Sequence, residues 1–503
     1  MGIKKYYASK DNTITNGYKE DLMTRGTGSN MGAADILEAF VIHGQTSDEI
    51  SSIPSAANAA SAEQSRILIQ FPVSDIVSDM SAGILPDDFT SIKFHLNLYN
   101  APHGNTTPLD YTLDVFSLAE AWTEGYGLDM ENYSDIGVSN WNKRSSGNDW
   151  AKVGGEYVDD AATQTTTYFN TGLENISLDV TDIVSRWATG MVANNGFLIK
   201  FQDAAVSGSD SFYTKKFFGR TSEFFHYRPT LEARWDSARK DNRGSFFLSS
   251  SLASSENNLN TLYLYNIIRG QLQEIPGLDN HSLSLEIYSG STAPVGNALE
   301  AVDKNGITVT NVKAKRLEEN GAVVTGIYTA SFASTSSYNT VYDVWSTGSG
   351  ASRVNFYTGS YSPKQLETID NMYNEEYITS ITNLDDSYTQ GQSPTLRVFA
   401  RKKNWKPNIY TVATADTVPE IIEDSFYRIH RVVDDLEVIP YGTGSTNNNF
   451  SRLSYDVSGS YFGLDTSCLE PGYAYGITFA YYLQGKYIEQ PEVFKFKIKE
   501  EDK

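Results

Sequence analysis

Apolar and polar residues alternate with a period of two along much of this chain. In IKFHLNLY, Ile92, Phe94, Leu96 and Leu98 fall on one face, the signature of a half-buried strand. Similar short bursts predict strands at 35–42, 65–73, 91–100, 112–122, 176–180, 195–203 and 228–235. Polar loops separate them without intervening amphipathic helices, which is the pattern of a β-sandwich or jelly roll. A charged stretch, DSARKDNRGS (236–245), interrupts the pattern. Strands resume from TLYLYNIIRGQL to RVNFYTGSY, up to about residue 368, on the scale of an immunoglobulin-like sandwich without its cysteines. The polar segment 362–376 is a linker or a short helix, and a third run of strands leads from YITSITNL to EVFKFKIKEED. No fixed-period repeat is present. The expected fold is therefore all-β, with three β-sandwich domains in series. These are an N-terminal jelly roll with a short capping helix (1–236), an Ig-like middle domain (237–368) and a C-terminal β-sandwich (369–503).

One stretch changes period halfway. In ISLDVTDIVSRWATG, Ile176, Leu178 and Val180 alternate, after which Ile183, Val184 and Trp187 fall at helical spacing. Thr181 is placed to cap the first turn and Gly190 to stop the last. The pattern predicts a short helical plug over one open end of the first sandwich, burying Ile183, Val184 and Trp187.

Composition narrows the function classes. The 503 residues carry a net charge of −22, which argues against a nucleic-acid partner. The single cysteine, Cys468, precludes an internal disulfide and a thiolate metal cluster, and its apolar surroundings mark it as a buried structural thiol. The start, MGIKKYYASKDN, has no apolar core for a signal peptide, and Tyr6 occupies the position where a myristoylation motif needs Ser or Thr. No run reaches membrane-spanning length, so neither export by a signal peptide nor a membrane partner is expected.

Landmarks of the first region come in a particular order. They are Arg66 leading SRILIQF, then IKFHLNLY, then Trp122-Thr123-Glu124, and then a second tryptophan. Asp179 to Trp187 fits D-V-T-x-x-V-x-x-W and includes Thr181; Asn194 to Phe197, with Asn195, fits N-x-G-F; Arg228 to Leu231 fits R-P-x-L. Over roughly the first 230 residues this series resembles the DNRLRE-type domain, a jelly roll related to carbohydrate-binding modules. Pro72 and Asn140 depart from the pattern, as do long insertions at 43–64 and 125–140. The whole chain, notably YYASKDNTITN, ARKKNWKPNIYTVA, YRIHRVVDD and EQPEVFKFKI, also resembles large structural proteins of marine tailed phages, especially those of cyanobacteria. That resemblance implies a virion component made in a host cytoplasm and released by lysis. It also implies several copies per particle and other virion proteins as partners.

Candidate chemistry is sparse. Six scattered histidines form no metal-binding pair, and His95 occupies a polar-facing strand position typical of a plain surface residue. Glu124, Asp129, Glu131 and Asp135 crowd one loop. Paired carboxylates can hydrolyse glycosides, and Asp129, Glu131 and Asp135 are candidates for a structural calcium ion, the one cofactor considered. Trp141 and Trp150, on an excursion from the strands, are candidates for stacking on sugars, or else pack that excursion back onto the sheet. ARKKNWKPN (400–408) is the only basic cluster, a docking patch or a solvated turn. The leading expectation is a non-enzymatic virion protein of the tail, neck or particle surface. A glycan-binding adhesin that recognises the host surface comes second and a polysaccharide depolymerase last.

Overall fold

Residues with matching alternation converge on buried apolar cores in a computed structural model that describes residues 2–20, 24–43, 62–104, 107–130, 137–278, 283–364, 376–406, 409, 419–444 and 447–500. Strands account for 45% of the chain against 8% helix, so the fold is all-β. The chain divides into two compact units, Ile3–Trp235 and Asp236–Lys503. Among the described residues, no helix is long and apolar enough to cross a membrane.

The first unit is a two-sheet sandwich. Its elements are β1 (Ile3–Tyr7), β2 (Lys10–Thr15), β3 (Ile36–Ile42), β4 (Glu63–Gln70), α1 (Val73–Ser81), β5 (Ile92–Leu98), β6 (Tyr111–Ser117), the small hairpin β7 (Lys143–Ser145) and β8 (Asn148–Asp149), β9 (Gln164–Phe169), β10 (Ile176–Asp179), α2 (Thr181–Ala188), β11 (Phe197–Phe201), α3 (Asp203–Ser207), β12 (Phe212–Phe218) and β13 (Thr230–Trp235). One sheet has the order β1-β13-β5-β10. The other has β12-β3-β4-β11-β6-β9, with β2 also pairing β4. The chain repeatedly crosses between the sheets, as in a jelly roll, and its first strand lies beside its last. Ile92, Phe94, Leu96 and Leu98 are fully buried together in the core between the sheets, as their alternation predicts.

The plug lies where the alternation predicts, and it has a companion. α2 carries the chain from β10 in one sheet to β11 in the other, while α1 does the same from β4 to β5. The two helices pack together and send Val73, Ile76, Ile183, Val184 and Trp187 into the same core. The strand expected over 65–73 ends at Gln70 instead, because Pro72 cannot donate to the ladder and starts α1. Thr181 does not cap α2, whose N-cap is Val180. It donates its N–H (2.9 Å) and its hydroxyl (2.5 Å) to the carboxylate of Asp179, the residue before the N-cap, which satisfies the first N–H of the helix in its place. Gly190 ends the helix as expected, at φ +74° with its N–H on the Trp187 carbonyl. Strands β1, β2, β9 and β12 lack a clear apolar alternation and escape sequence reading.

The second unit holds two sandwiches. In the first, strands follow the order Thr308–Val309, Ala301–Asp303, Ala322–Ala333, Val312–Glu319, Leu283–Ser289, Val341–Thr347 and Val354–Tyr361, with Asn260–Tyr265 on Ala322–Ala333. The strand Val312–Glu319 is shared between neighbours: Val312 to Ala314 pair with Leu283–Ser289, and Lys315 to Glu319 with Ala322–Ala333. The result encloses one core around Leu262, Leu285, Phe332 and Trp345. In the last sandwich, a four-stranded sheet (Tyr377–Ile381, Thr395–Lys402, Gly459–Gly463, Ser454–Asp456) faces a six-stranded one built on Ala474–Leu483. Aromatic rings join them: Phe462 of one sheet stacks 4.3 Å from Tyr427 and meets Phe479 edge-on at 6.2 Å, both of the other sheet. Cys468 is buried there, as expected. The segment read as a linker or helix and the strand read at IYTVATA lie almost entirely outside the described residues.

Candidate functional site

Three of the motif residues of the first unit, Arg66, Trp122 and Asn195, gather on the outer face of the larger sheet. Along β4, Ile67 and Ile69 point into the main core while Arg66 and Leu68 point away from it. β11 divides likewise between Phe197, Ile199 and Phe201 inside and Leu198 outside. The outer residues are nevertheless buried, because the excursion between β6 and β9 folds back over them. Ile14, Leu68, Phe116, Leu118, Trp122, Trp141, Trp150 and Leu198 make a second, smaller core. Trp141 and Trp150 are 6% and 4% exposed. The sugar-stacking expectation for them is thus corrected: rings enclosed in a core have no free π face to offer. The indole N–H groups find carbonyl partners, Trp122 on Asn195 and Trp150 on Asn140, both at 2.8 Å. Asn195 donates to the Leu118 carbonyl (3.3 Å). The Arg66 guanidinium lies 4.9 Å from the Trp141 ring and donates to the Gly154 carbonyl at 2.9 Å. Arg228 donates to the Ser222 carbonyl (2.8 Å), fixing the turn before β13.

The acidic loop contributes one carboxylate to an internal cluster. Glu124 accepts the Asp11 N–H (2.9 Å) and pairs with Arg220 (3.0 Å) through the same oxygen, Oε1, which commits that oxygen to the cluster. Asp11 is fully buried and accepts the Arg220 N–H. Burial pushes its carboxyl up to about 7, against the opposing pull of Arg220. Of the calcium candidates, Glu131 and Asp135 lie outside the described residues and Asp129 is partly buried. Among the described residues, no three His, Cys, Asp or Glu side chains are placed to hold a metal ion.

A row of polar groups crosses the smaller sheet, where Lys5, Glu232, His95 and Asp179 face one another strand by strand. Lys5 and Arg234 pair with Glu232 at 2.9 and 2.6 Å, and Lys93 pairs with Asp179 at 3.1 Å. Burial opposes ionisation of Glu232, but the two cations outweigh it and hold the carboxyl at about 2. His95 is not the plain surface residue that its position suggests. Burial, aided by Arg234, pushes its imidazole down to about 4, so it is neutral at pH 7, and neither ring nitrogen is hydrogen-bonded. Both flanking carboxylates are committed to cations, so neither orients the ring as a general base would require.

In the second unit, the charged stretch after residue 236 is a buried strap between the two sandwiches. Arg243 pairs with Asp241 (3.0 Å) and with Asp343 (2.7 Å), and all three are buried. Trp345 Nε1 donates to the same Asp343 carboxylate at 2.8 Å. The intervening Asn242 donates to the Tyr455 hydroxyl (2.9 Å), and the Asp241 N–H to the Tyr455 carbonyl (3.1 Å), both in the last sandwich. Arg239 forks onto Glu319 of the middle sandwich at 2.5 and 2.6 Å. One guanidinium cannot balance two carboxylates in a low-dielectric site. Asp343 accepts three N–H groups, two from Arg243 and one from Trp345, and burial lifts Asp241 to about 6. Sequence reading missed this cluster, although Asp343 shares the pleat parity of the core residues Val341 and Trp345. In the basic cluster, Lys403 pairs with Glu376 (2.5 Å) and Arg401 lies 5.9 Å from the Trp405 ring; residues 407 and 408 are outside the described set.

Comparison with known proteins returns no matching family profile and no curated relative. Among solved structures, similarity is found to the tandem Ig repeats of Dlar (9% identity, 48% of this chain and 90% of that one, TM-score 0.13). Similarity is also found to a Salmonella alpha-2-macroglobulin mutant, Y1175G (8% identity, 93% of this chain but 21% of that one, TM-score 0.15).

Proposed function

We propose that this chain is a non-enzymatic structural component of a tailed-phage virion, a tail or neck appendage or a protein decorating the particle, present in several copies. One observation carries the reading. Arg66, Trp122, Trp141, Trp150, Glu124 and Asn195, the residues with most chemical potential in the first unit, spend their contacts on a second internal core and its rim. Groups used this way give a sandwich that resists deformation, which suits a building block. The order of landmarks and the near-full-length resemblance to phage structural proteins supply the particle. Its partners are then neighbouring virion proteins and further copies of the chain.

The adhesin reading loses the two tryptophans that favoured it, and in the depolymerase reading one oxygen of Glu124 is already committed to Arg220 and the Asp11 backbone. Immunogold labelling of purified particles, with peptide mass spectrometry of the same preparation, tests the proposal. Labelling at one defined position on intact particles is expected. A chain confined to the lysate supernatant overturns it.

A further inference from the structure

Lys215 is fully buried in β12, at the pleat parity of the core residue Phe217. Its Nζ lies 2.6 Å from Oδ1 of Asn100, just beyond β5, and contacts the carbonyls of Gly172 (2.8 Å) and Glu174 (2.9 Å). The rings of Phe169 and Phe217 wall the site, with centroids 4.9 and 5.0 Å from Nζ. His103 Nε2 lies 3.0 Å from the same amide oxygen. The Asn100 N–H is held by Asn175 Oδ1 (2.8 Å), which fixes the residue's position. An amine and a carboxamide are thus held in contact in a pocket with aromatic walls, with an imidazole on the carbonyl oxygen. That is the arrangement in which proximity and desolvation assist acyl transfer.

From this geometry we infer that Lys215 and Asn100 join through an intramolecular isopeptide bond, formed by the protein itself once folding has assembled the pocket. The Glu174 carboxylate acts electrostatically on Lys215 and has one buried oxygen without a hydrogen bond. Its other oxygen accepts the Asn170 and Thr171 N–H groups and the Thr171 hydroxyl, which hold the carboxyl at about 2 against burial, so it stays ionised and the ammonium proton leaves to water. The neutral Nζ then attacks Cγ of Asn100, and the carbonyl electron pair moves onto Oδ1, where the His103 Nε2–H stabilises it. As the carbonyl re-forms, the Cγ–Nδ2 bond breaks. Nδ2 departs as ammonia, carrying a proton lost from Nζ, so amine plus amide give amide plus ammonia with no oxidant or co-reactant. Burial pushes the Lys215 ammonium down to about 8, which brings the neutral amine within reach near neutral pH. The bond would tie positions 115 residues apart in a chain whose single cysteine permits no internal disulfide. The inference goes beyond the virion assignment and does not depend on it.

Intact-mass measurement and proteolytic mapping of the purified full chain test it. The expected mass is lower than that of the sequence by one ammonia, and the digest contains a branched peptide joining Lys215 to Asn100. Asn100→Ala and Lys215→Met each restore the full mass of their own sequence and abolish the branched peptide. His103→Gln lowers the rate at which newly folded protein cross-links by tenfold or more. An unmodified chain with the full sequence mass and a free Lys215 overturns the inference, as does an ammonia loss mapped elsewhere. Neither of those readings requires a variant to fold.

Discussion

Asp343 shares the inward parity of Val341 and Trp345, so its charge is tolerable only because Arg243 and the Trp345 indole meet it there. Removing one partner of a buried pair strands the other charge. Asp343→Ala should therefore lower unfolding free energy by about 3–5 kcal/mol, read by chemical denaturation. Asp241 leaves a signature in pH. Its carboxyl holds a proton up to about 6 in the folded chain, whereas in the unfolded chain it ionises near 4. Between those values the folded state binds the extra proton, so this residue's contribution makes stability fall as pH rises, by about 3 kcal/mol across the window. Denaturation midpoints measured from pH 4 to pH 7 should flatten in Asp241→Asn relative to the parent. In the first unit, Trp141→Ala should cost about 3–5 kcal/mol through the cavity it leaves beneath the excursion. If the ring is architectural, a glycan array should show the same profile for parent and variant; loss of a signal on the array would restore the ring as a ligand platform.

At the scale of elements, the two crossover helices explain how an open-ended sandwich closes. Each is short and gains its stability from the core face rather than from intrinsic propensity. α2 buries Ile183, Val184 and Trp187, and the Trp187 indole both bonds Ser117 Oγ (2.9 Å) and lies 4.6 Å from the Phe197 ring. Its end depends on Gly190, where a Cβ would meet no neighbour within 4 Å. Gly190→Ala should thus cost only the backbone strain of a left-handed residue, about 1–2 kcal/mol, in a thermal melt. A much larger loss would mean that the glycine serves more than the backbone turn. The period change at Asp182 made α2 legible in the sequence. α1 overturns the expectation of no helices between the strands: Val73, Ile76 and Met80 have helical spacing, but the strand preceding it hid the transition at Pro72.

At the scale of the whole molecule, each compact unit has its own apolar core or cores. A fragment of residues 3–235 should accordingly fold alone, with the cooperative unfolding of a single domain. The two sandwiches of the second unit share the strap at 239–243, whose side chains are satisfied from both sides. A fragment of residues 376–503 lacks the strap that Tyr455 binds, and it should unfold at lower denaturant than the same sandwich within residues 236–503, followed by tryptophan and tyrosine fluorescence. The all-β class, most strand positions, the plug and the break near residue 236 came from periodicity alone, because a pleat with one buried face writes its period into the sequence. Composition likewise set the acidic charge and the absence of internal disulfides. Only the tertiary structure decided that Trp141 and Trp150 face inward, that the charged strap is buried, and that Lys215 meets Asn100. Those outcomes depend on which distant segment covers a face, and pairings made across a hundred residues of chain leave no local period to read.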